Sequence, residues 1–213
     1  MKKIFAFAFA ASLMLISASA NAQIHVDAGY VQTPEITTSS NTSQTAHYNG
    51  AYAGLGFTLS FGDYLAIDPM VRYTYSKCNE KRWEITDNLY GTFNGVEQRI
   101  EGLIDLQARF PFSKDFTAFI YGGPRYTYAL SSKGQMVYTA AMIEIKKDVD
   151  KFDENSTYSH SNFLLGCGVG VDIMQRLRIK AGYDFGLMNL YTGSASNYSI
   201  KQNMLNAGVA VLF

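Results

Sequence analysis

Several residue types are scarce in this chain, and each scarcity closes off a class of function. It has three histidines, His25, His47 and His160, and two cysteines, Cys78 and Cys167, with no paired spacing among them. That argues against a structural or catalytic metal centre, which needs such pairs. Basic residues are neither in excess nor clustered: 18 Lys and Arg stand against 18 Asp and Glu. A nucleic-acid surface would need a basic patch, so none is expected. Past the first sixteen residues no apolar run approaches the roughly 20 residues of a membrane helix. Proline is rare as well, with four residues, which leaves long stretches free to form backbone ladders.

The start of the chain reads as a targeting segment. Lys2 and Lys3 precede an apolar run from Ile4 to Ile16, and Ala20-Asn21-Ala22 supplies small residues where signal peptidase cuts. The run is too short for a transmembrane anchor. Cleavage is expected after Ala22, so that residues 1–22 are a signal peptide and residues 23–213 form one domain beginning at Gln23. The absence of a cysteine at that position argues against a lipoprotein. Loss of Lys2 and Lys3 leaves 16 basic against 18 acidic residues, a net charge near −2.

What the mature chain does have is aromatics, 15 Tyr and 11 of the 14 Phe of the whole chain, and 18 glycines. Its dominant pattern is alternation with a period of two. Eight segments carry it: Ile24 to Gln32, Gly50 to Phe61, Tyr64 to Tyr75, Gln98 to Phe110, Phe116 to Leu130, Asn162 to Ile173, Leu177 to Leu187 and Asn203 to Phe213. Each has at least the roughly nine residues a tilted strand needs to cross a bilayer. The connections alternate too. Gly62-Asp63, Pro111 to Asp115 and Met174 to Arg176 are short, whereas the others are long and polar, the longest spanning 131–161. This predicts an all-β fold, an eight-stranded antiparallel up-and-down transmembrane barrel. Short periplasmic turns, periplasmic termini and four long extracellular loops would complete it.

Alternation alone does not separate a membrane barrel from a soluble one, but the two faces differ in charge. One face carries Asp27, Asp68, Glu101, Asp105, Asp172 and Asp184 with Arg72, Arg109, Arg125, Arg178 and Lys180. The other is nearly free of charge. Glycines such as Gly54, Gly166, Gly168 and Gly170 share the charged face, as a crowded lumen would require. Aromatics cluster at the two ends of the apolar face: Phe61, Phe110, Phe116 and Phe213 at one, Tyr30, Tyr73, Tyr126 and Tyr183 at the other. These are expected to be the interfacial girdles, with the charges inside as an ion-paired plug. The glycines are expected to leave small water pockets between charge layers, and Gly168 to accept a serine if space allows. Pro69 and Pro124 fall inside strand patterns, and Gly122-Gly123-Pro124 suggests a bulge.

The last segment, through Leu205, Val209, Val211 and Phe213, resembles the C-terminal signal of outer-membrane barrels, which ends in an aromatic residue. The Tyr121-Gly122-Gly123-Pro124-Arg125-Tyr126 segment resembles a Gly-Gly-Pro or Ala-Gly-Pro strand of small outer-membrane β-barrel domain proteins of Bacteroidetes, the PorT-like and OmpX-like group. The resemblance implies a Gram-negative outer membrane, lipid as surroundings and the barrel-assembly machinery as a partner; it implies fold and location more than activity.

No constellation of residues calls for catalysis or a cofactor. His160 beside Ser159 and Ser161 is the one arrangement reminiscent of rim-sited lipid-modifying enzymes, and no further spacing supports it. Cys167 falls on the lipid face and Cys78 at the start of a loop, too far apart for a disulfide. The leading expectation is a monomeric, non-enzymatic barrel with a structural or interaction role through its loops. A narrow channel or transport accessory comes second, and a lipid-modifying enzyme third.

Overall fold

A computed structural model describes residues 22–39, 42–86, 89–140, 143–153, 156–195 and 197–213. The proposed signal segment, except Ala22, lies outside these residues. Ala22 and Gln23 open the first strand, paired with Leu59 and Thr58.

Ten strands follow in chain order: β1 Ala22–Ser39, β2 Thr42–Phe61, β3 Leu65–Thr86, β4 Leu89–Pro111, β5 Phe116–Ala140, β6 Ile143–Asp150, β7 Ser161–Ile173, β8 Leu177–Gly186, β9 Tyr198–Gln202 and β10 Met204–Leu212. Eight of them close a ring in the order β10-β8-β7-β5-β4-β3-β2-β1, sealed by antiparallel pairing of β10 with β1 from His25↔Leu212 to Gln32↔Leu205. Closure leaves no ring strand with an open edge, a condition a sheet must meet in hydrocarbon. β6 and β9 lie off the ring, on β5 and β1 respectively.

The two ends differ. At one, tight turns join β2 to β3, β4 to β5 and β7 to β8. Gly62 supplies a left-handed residue (φ 70°) in the first, and Met174 and Gln175 adopt φ 52° and 55° in the last, the two successive left-handed residues that match hairpin twist. Phe213 lies at this end too, its N–H bonded to the Ile24 carbonyl at 2.8 Å.

At the other end the strands run on where loops were expected. β1 and β2 stay paired beyond Gln32↔Asn49, out to Ser39↔Thr42. β3, β4 and β5 reach 22, 23 and 25 residues, about twice what a bilayer crossing needs. The expected 131–161 loop contains the end of β5 and all of β6. Polarity hid these strands because, beyond the membrane, neither face needs to be apolar. A small apolar cluster of Ala46, Tyr48, Cys78 and Phe93, with Met136 and Val149 against it, packs between the extensions. Cys78 and Cys167 are not joined by a disulfide; the first is buried in this cluster and the second exposed on the outer face.

The prolines distort the ring less than expected. Pro69 and Pro124 both point outward. Pairing is interrupted beside Pro69, yet Gly56↔Met70 and Leu59↔Ile67 on either side keep one register. Leu103↔Arg125 and Leu106↔Gly122 likewise bracket Pro124 without a slip, so Gly122-Gly123-Pro124 is not a bulge. The slip falls instead between Gln98↔Ser131 and Arg99↔Ala129, where Leu130 is the extra residue. Gly123 is glycine because a Cβ there would overlap the Ile104 carbonyl oxygen.

Candidate functional site: the barrel interior and its long-loop mouth

Period-two geometry sends the large apolar residues outward and the charges inward. Leu55, Val71, Ile104, Leu106, Ile120, Leu165 and Val169 are each at least half exposed, whereas Asp27, Glu101, Arg178 and Asp184 have no measurable exposure. All eleven charges singled out from the sequence point into the lumen. Four further charged residues join them: Glu35, Glu97, Arg99 and Lys151. His25 is buried there as well.

The charges form layers. Nearest the short turns, Arg178 makes two bonds to Asp172 at 2.7 and 3.0 Å and one to Asp68 at 2.9 Å. Arg109 adds a bond to Asp172 at 2.8 Å, and His25 Nε2 lies 2.7 Å from Asp68. Above them Lys180 Nζ sits 2.6 Å from Asp27. In the middle, Arg125 bridges Asp105 and Asp184, both at 2.6 Å. Arg72 pairs with Glu101 and reaches Asp184 at 3.6 Å. Three of these arginines also cover an aromatic face: Arg72 over Tyr52, Arg125 over Tyr121, Arg178 over Phe119. Charges this deep would be costly alone, and the pairing is what offsets their lost hydration.

An apolar layer comes next. Val31, Leu164 and Met204 are fully buried and cluster with Tyr52. The charge-and-glycine pattern of the inward face does not reveal this apolar layer, although Val31 shares its parity with Asp27.

Side chains pack closely over several of the inward glycines. Large side chains occupy the space a Cβ would need: Tyr121 over Gly168 and Gly182, Phe119 over Gly170, Tyr52 over Gly208, His25 over Gly56. A serine at Gly168 would meet both the Tyr121 ring and the Ala181 carbonyl, so that position is not permissive.

The mouth at the long-loop end is closed by a segment following β6. Lys151 turns inward and places its ammonium 2.6 Å from Glu35 and 4.0 Å from Glu97. It lies 4.8 Å from the ring centres of both Tyr48 and Tyr158. Glu35 also accepts bonds from the Tyr158 hydroxyl (2.7 Å) and Gln202 Nε2 (3.0 Å). Arg99 forms the floor, donating to Thr33 at 2.7 Å and lying 3.4 Å from Glu97. Burial alone would raise the Glu35 carboxyl, but Lys151, Tyr158 and Gln202 hold it below its ordinary value. Burial would depress Lys151, and Glu35 with its neighbours holds it well above the ordinary lysine value.

The other candidates are placed as follows. His47 is exposed on β2. His160 Nδ1 donates to the Ala129 carbonyl at 2.8 Å, and its ring stacks on Phe152 at 3.9 Å and Tyr128 at 5.4 Å. Ser159 Oγ donates to the Ser161 carbonyl, and Ser161 Oγ bonds Tyr126. Among the described residues no serine hydroxyl bonds the His160 ring. Nor do any three His, Cys, Asp or Glu side chains there form a metal-holding group. Leu205, Val209, Val211 and Phe213 all point outward from β10, Phe213 the most exposed.

A closed antiparallel ring with an apolar exterior and a paired, charged interior defines a transmembrane β-barrel. The chain belongs to the outer membrane protein beta-barrel domain family, whose model matches residues 12–192; that family places it in a Gram-negative outer membrane. Similar solved structures are small outer-membrane proteins. Ail, the attachment invasion locus protein of Yersinia pestis, is 10% identical, with 91% of this chain and 99% of Ail covered and a TM-score of 0.43. OprG from Pseudomonas aeruginosa is 12% identical over 90% of this chain and 96% of its own, with a TM-score of 0.49. The outer membrane enzyme PagL is 7% identical over 85% and 98%, with a TM-score of 0.38. No curated protein sequence matches the chain significantly.

Proposed function

We propose that this protein is a non-conducting, non-enzymatic surface barrel that holds rigid β-extensions outside the cell for a structural or binding role. In this reading the short turns and both ends of the mature chain are periplasmic, and the extensions of β1 to β5, with β6 and β9, are extracellular. The barrel-assembly machinery inserts the chain, lipid surrounds it, and it works as a monomer. The observation that carries the reading is the filled interior. Ion-paired layers and the Val31–Leu164–Met204 apolar layer succeed one another along the axis. Eight strands leave an interior about wide enough for side chains, so such layers leave no room for a solute path. The extensions supply the second support: secondary structure carried well past the membrane is a scaffold for presentation.

Planar-bilayer recordings of the purified barrel should show no stable conductance steps. Steady large steps would overturn the occluded reading in favour of a channel. Trypsin applied to intact cells should cut at the exposed Lys146 and Lys147 and leave Arg176, in a short turn, uncut. Cleavage at Arg176 alone would invert the proposed orientation.

A further inference from the structure

We propose that the long-loop mouth of the barrel is a binding cup for a primary ammonium group, filled in this conformation by the chain's own Lys151. The inference deepens the surface-binding reading by naming a ligand class, and it rests on that reading only for the side of the membrane from which a ligand arrives.

The cup is built without Lys151. Glu35 comes from β1, Tyr48 from β2, Glu97 from β4 and Gln202 from β9, all on regular strands. Two donors fix the Glu35 carboxylate independently of the lysine, the Tyr158 hydroxyl and Gln202 Nε2. Ser132 Oγ donates to Glu97 at 3.2 Å. Tyr158 has its own backbone anchors: flanking Ser159 N donates to the Leu190 carbonyl and Thr192 N to the Thr157 carbonyl, both at 2.8 Å.

What this frame encloses is chemically specific. A carboxylate at 2.6 Å, a second at 4.0 Å and two aromatic faces at 4.8 Å surround one nitrogen. Ring faces attract a cation and carboxylates accept its N–H bonds. A quaternary ammonium has no N–H for Glu35, and an anion would meet two carboxylates. The apolar layer below makes the cup blind. Its present occupant enters from a loop, tied by the Lys151 N–H to the Ser132 carbonyl at 2.9 Å and by Phe152 stacked on His160. Lys151 is thus a tethered stand-in, and an alkylammonium or polyamine is the class of ligand that exchanges with it.

The test uses the full barrel in detergent, where both ends are open to solvent, so a failed cup is distinguishable from an inverted orientation. Lys151→Gly removes four carbons and an ammonium, the atoms of n-butylammonium. Saturating n-butylammonium should bind this variant and restore its thermal stability, whereas n-butanol should not. Adding Glu35→Gln should weaken the binding more than about thirtyfold, since a buried charge partner is lost. In the unaltered chain Lys151 should acetylate far more slowly than Lys146 or Lys147, and spermidine should accelerate its labelling by exposing it. This second measurement needs no variant to fold. Absence of saturable butylammonium binding, or binding indifferent to Glu35→Gln, would overturn the cup. Lys151 labelling unchanged by spermidine would overturn the exchange.

Discussion

Arg125 and Asp184 meet at 2.6 Å across the strand that separates them, and their contact passes over Gly166. β7 lies between β5 and β8, with Gly166 paired to Gly123 on one side and to Asp184 on the other. A Cβ at Gly166 would overlap both the Arg125 guanidinium and an Asp184 oxygen. The glycine therefore makes a cross-strand ion pair possible.

Gly166→Ala should accordingly break the pair. Leaving a buried charge uncompensated costs about 3–5 kcal/mol. Gly102→Ala is the matched control, because nothing lies within 4 Å of a Cβ there. Urea unfolding in lipid vesicles should show a large loss for the first variant and almost none for the second. Equal midpoints would mean that Arg125 finds another partner at no cost.

The adjacent pair Gly168 and Val169 tests inside against outside. Val169 is 59% exposed on the apolar face. Arginine there should cost about 2–4 kcal/mol near the bilayer middle. Gly168→Ser should be costly as well, since Tyr121 and the Ala181 carbonyl already fill its space. Both variants should refold poorly into vesicles. Val169→Arg alone should recover partly in detergent, where a charged side chain can reach water. Equal recovery of the two would undermine the assignment of faces.

How much of this was legible depended on where the alternation could be followed. The ring and the eleven inward charges follow from period two, because a strand has only two faces and one carries nearly all the charge. Glu35 continues the parity of His25, Asp27, Val31 and Thr33, but Pro34 marks an apparent strand end. Glu97 and Arg99 sit beside the slip opposite Leu130, which moves the inward set of β5 from Ala129 to Ser132. Lys151 left no local signal at all: its partner Glu35 is 116 residues away. Alternation puts Tyr52 and Tyr121 on the inward face, but it does not show that they lie over Gly208 and Gly168, because a glycine pattern shows that space exists and not what fills it.

Phe213 gives a third prediction. Its backbone N–H bonds Ile24, and its ring is 74% exposed at the short-turn end. Phe213→Asp keeps the backbone bond and removes the aromatic end of the proposed assembly signal. Yield of heat-modifiable barrel in cells should fall, while refolding of purified chain into detergent should be nearly unchanged. A loss in both settings would assign Phe213 to stability and not to assembly.

The last prediction concerns pH at the mouth. Glu35 is held below the ordinary carboxylate value by Lys151, Tyr158 and Gln202, against the opposing effect of burial. A depressed carboxyl contributes stability that is fully present above its unfolded value and is lost as pH falls through the folded one. Lys151 is shifted the other way, so its contribution is complete below the ordinary lysine value and is lost only as pH rises above it. The contact should therefore be indifferent to pH across the neutral range and should weaken on strong acidification. Protection of the Lys151 amide from hydrogen exchange, referred to its intrinsic rate at each pH, should be high near neutrality and fall several-fold in acid. In Glu35→Gln the same amide should be less protected at neutral pH, and the acid step should shrink. An acid step of undiminished size in that variant would mean that another carboxylate, Glu97 being the nearest, holds the mouth closed.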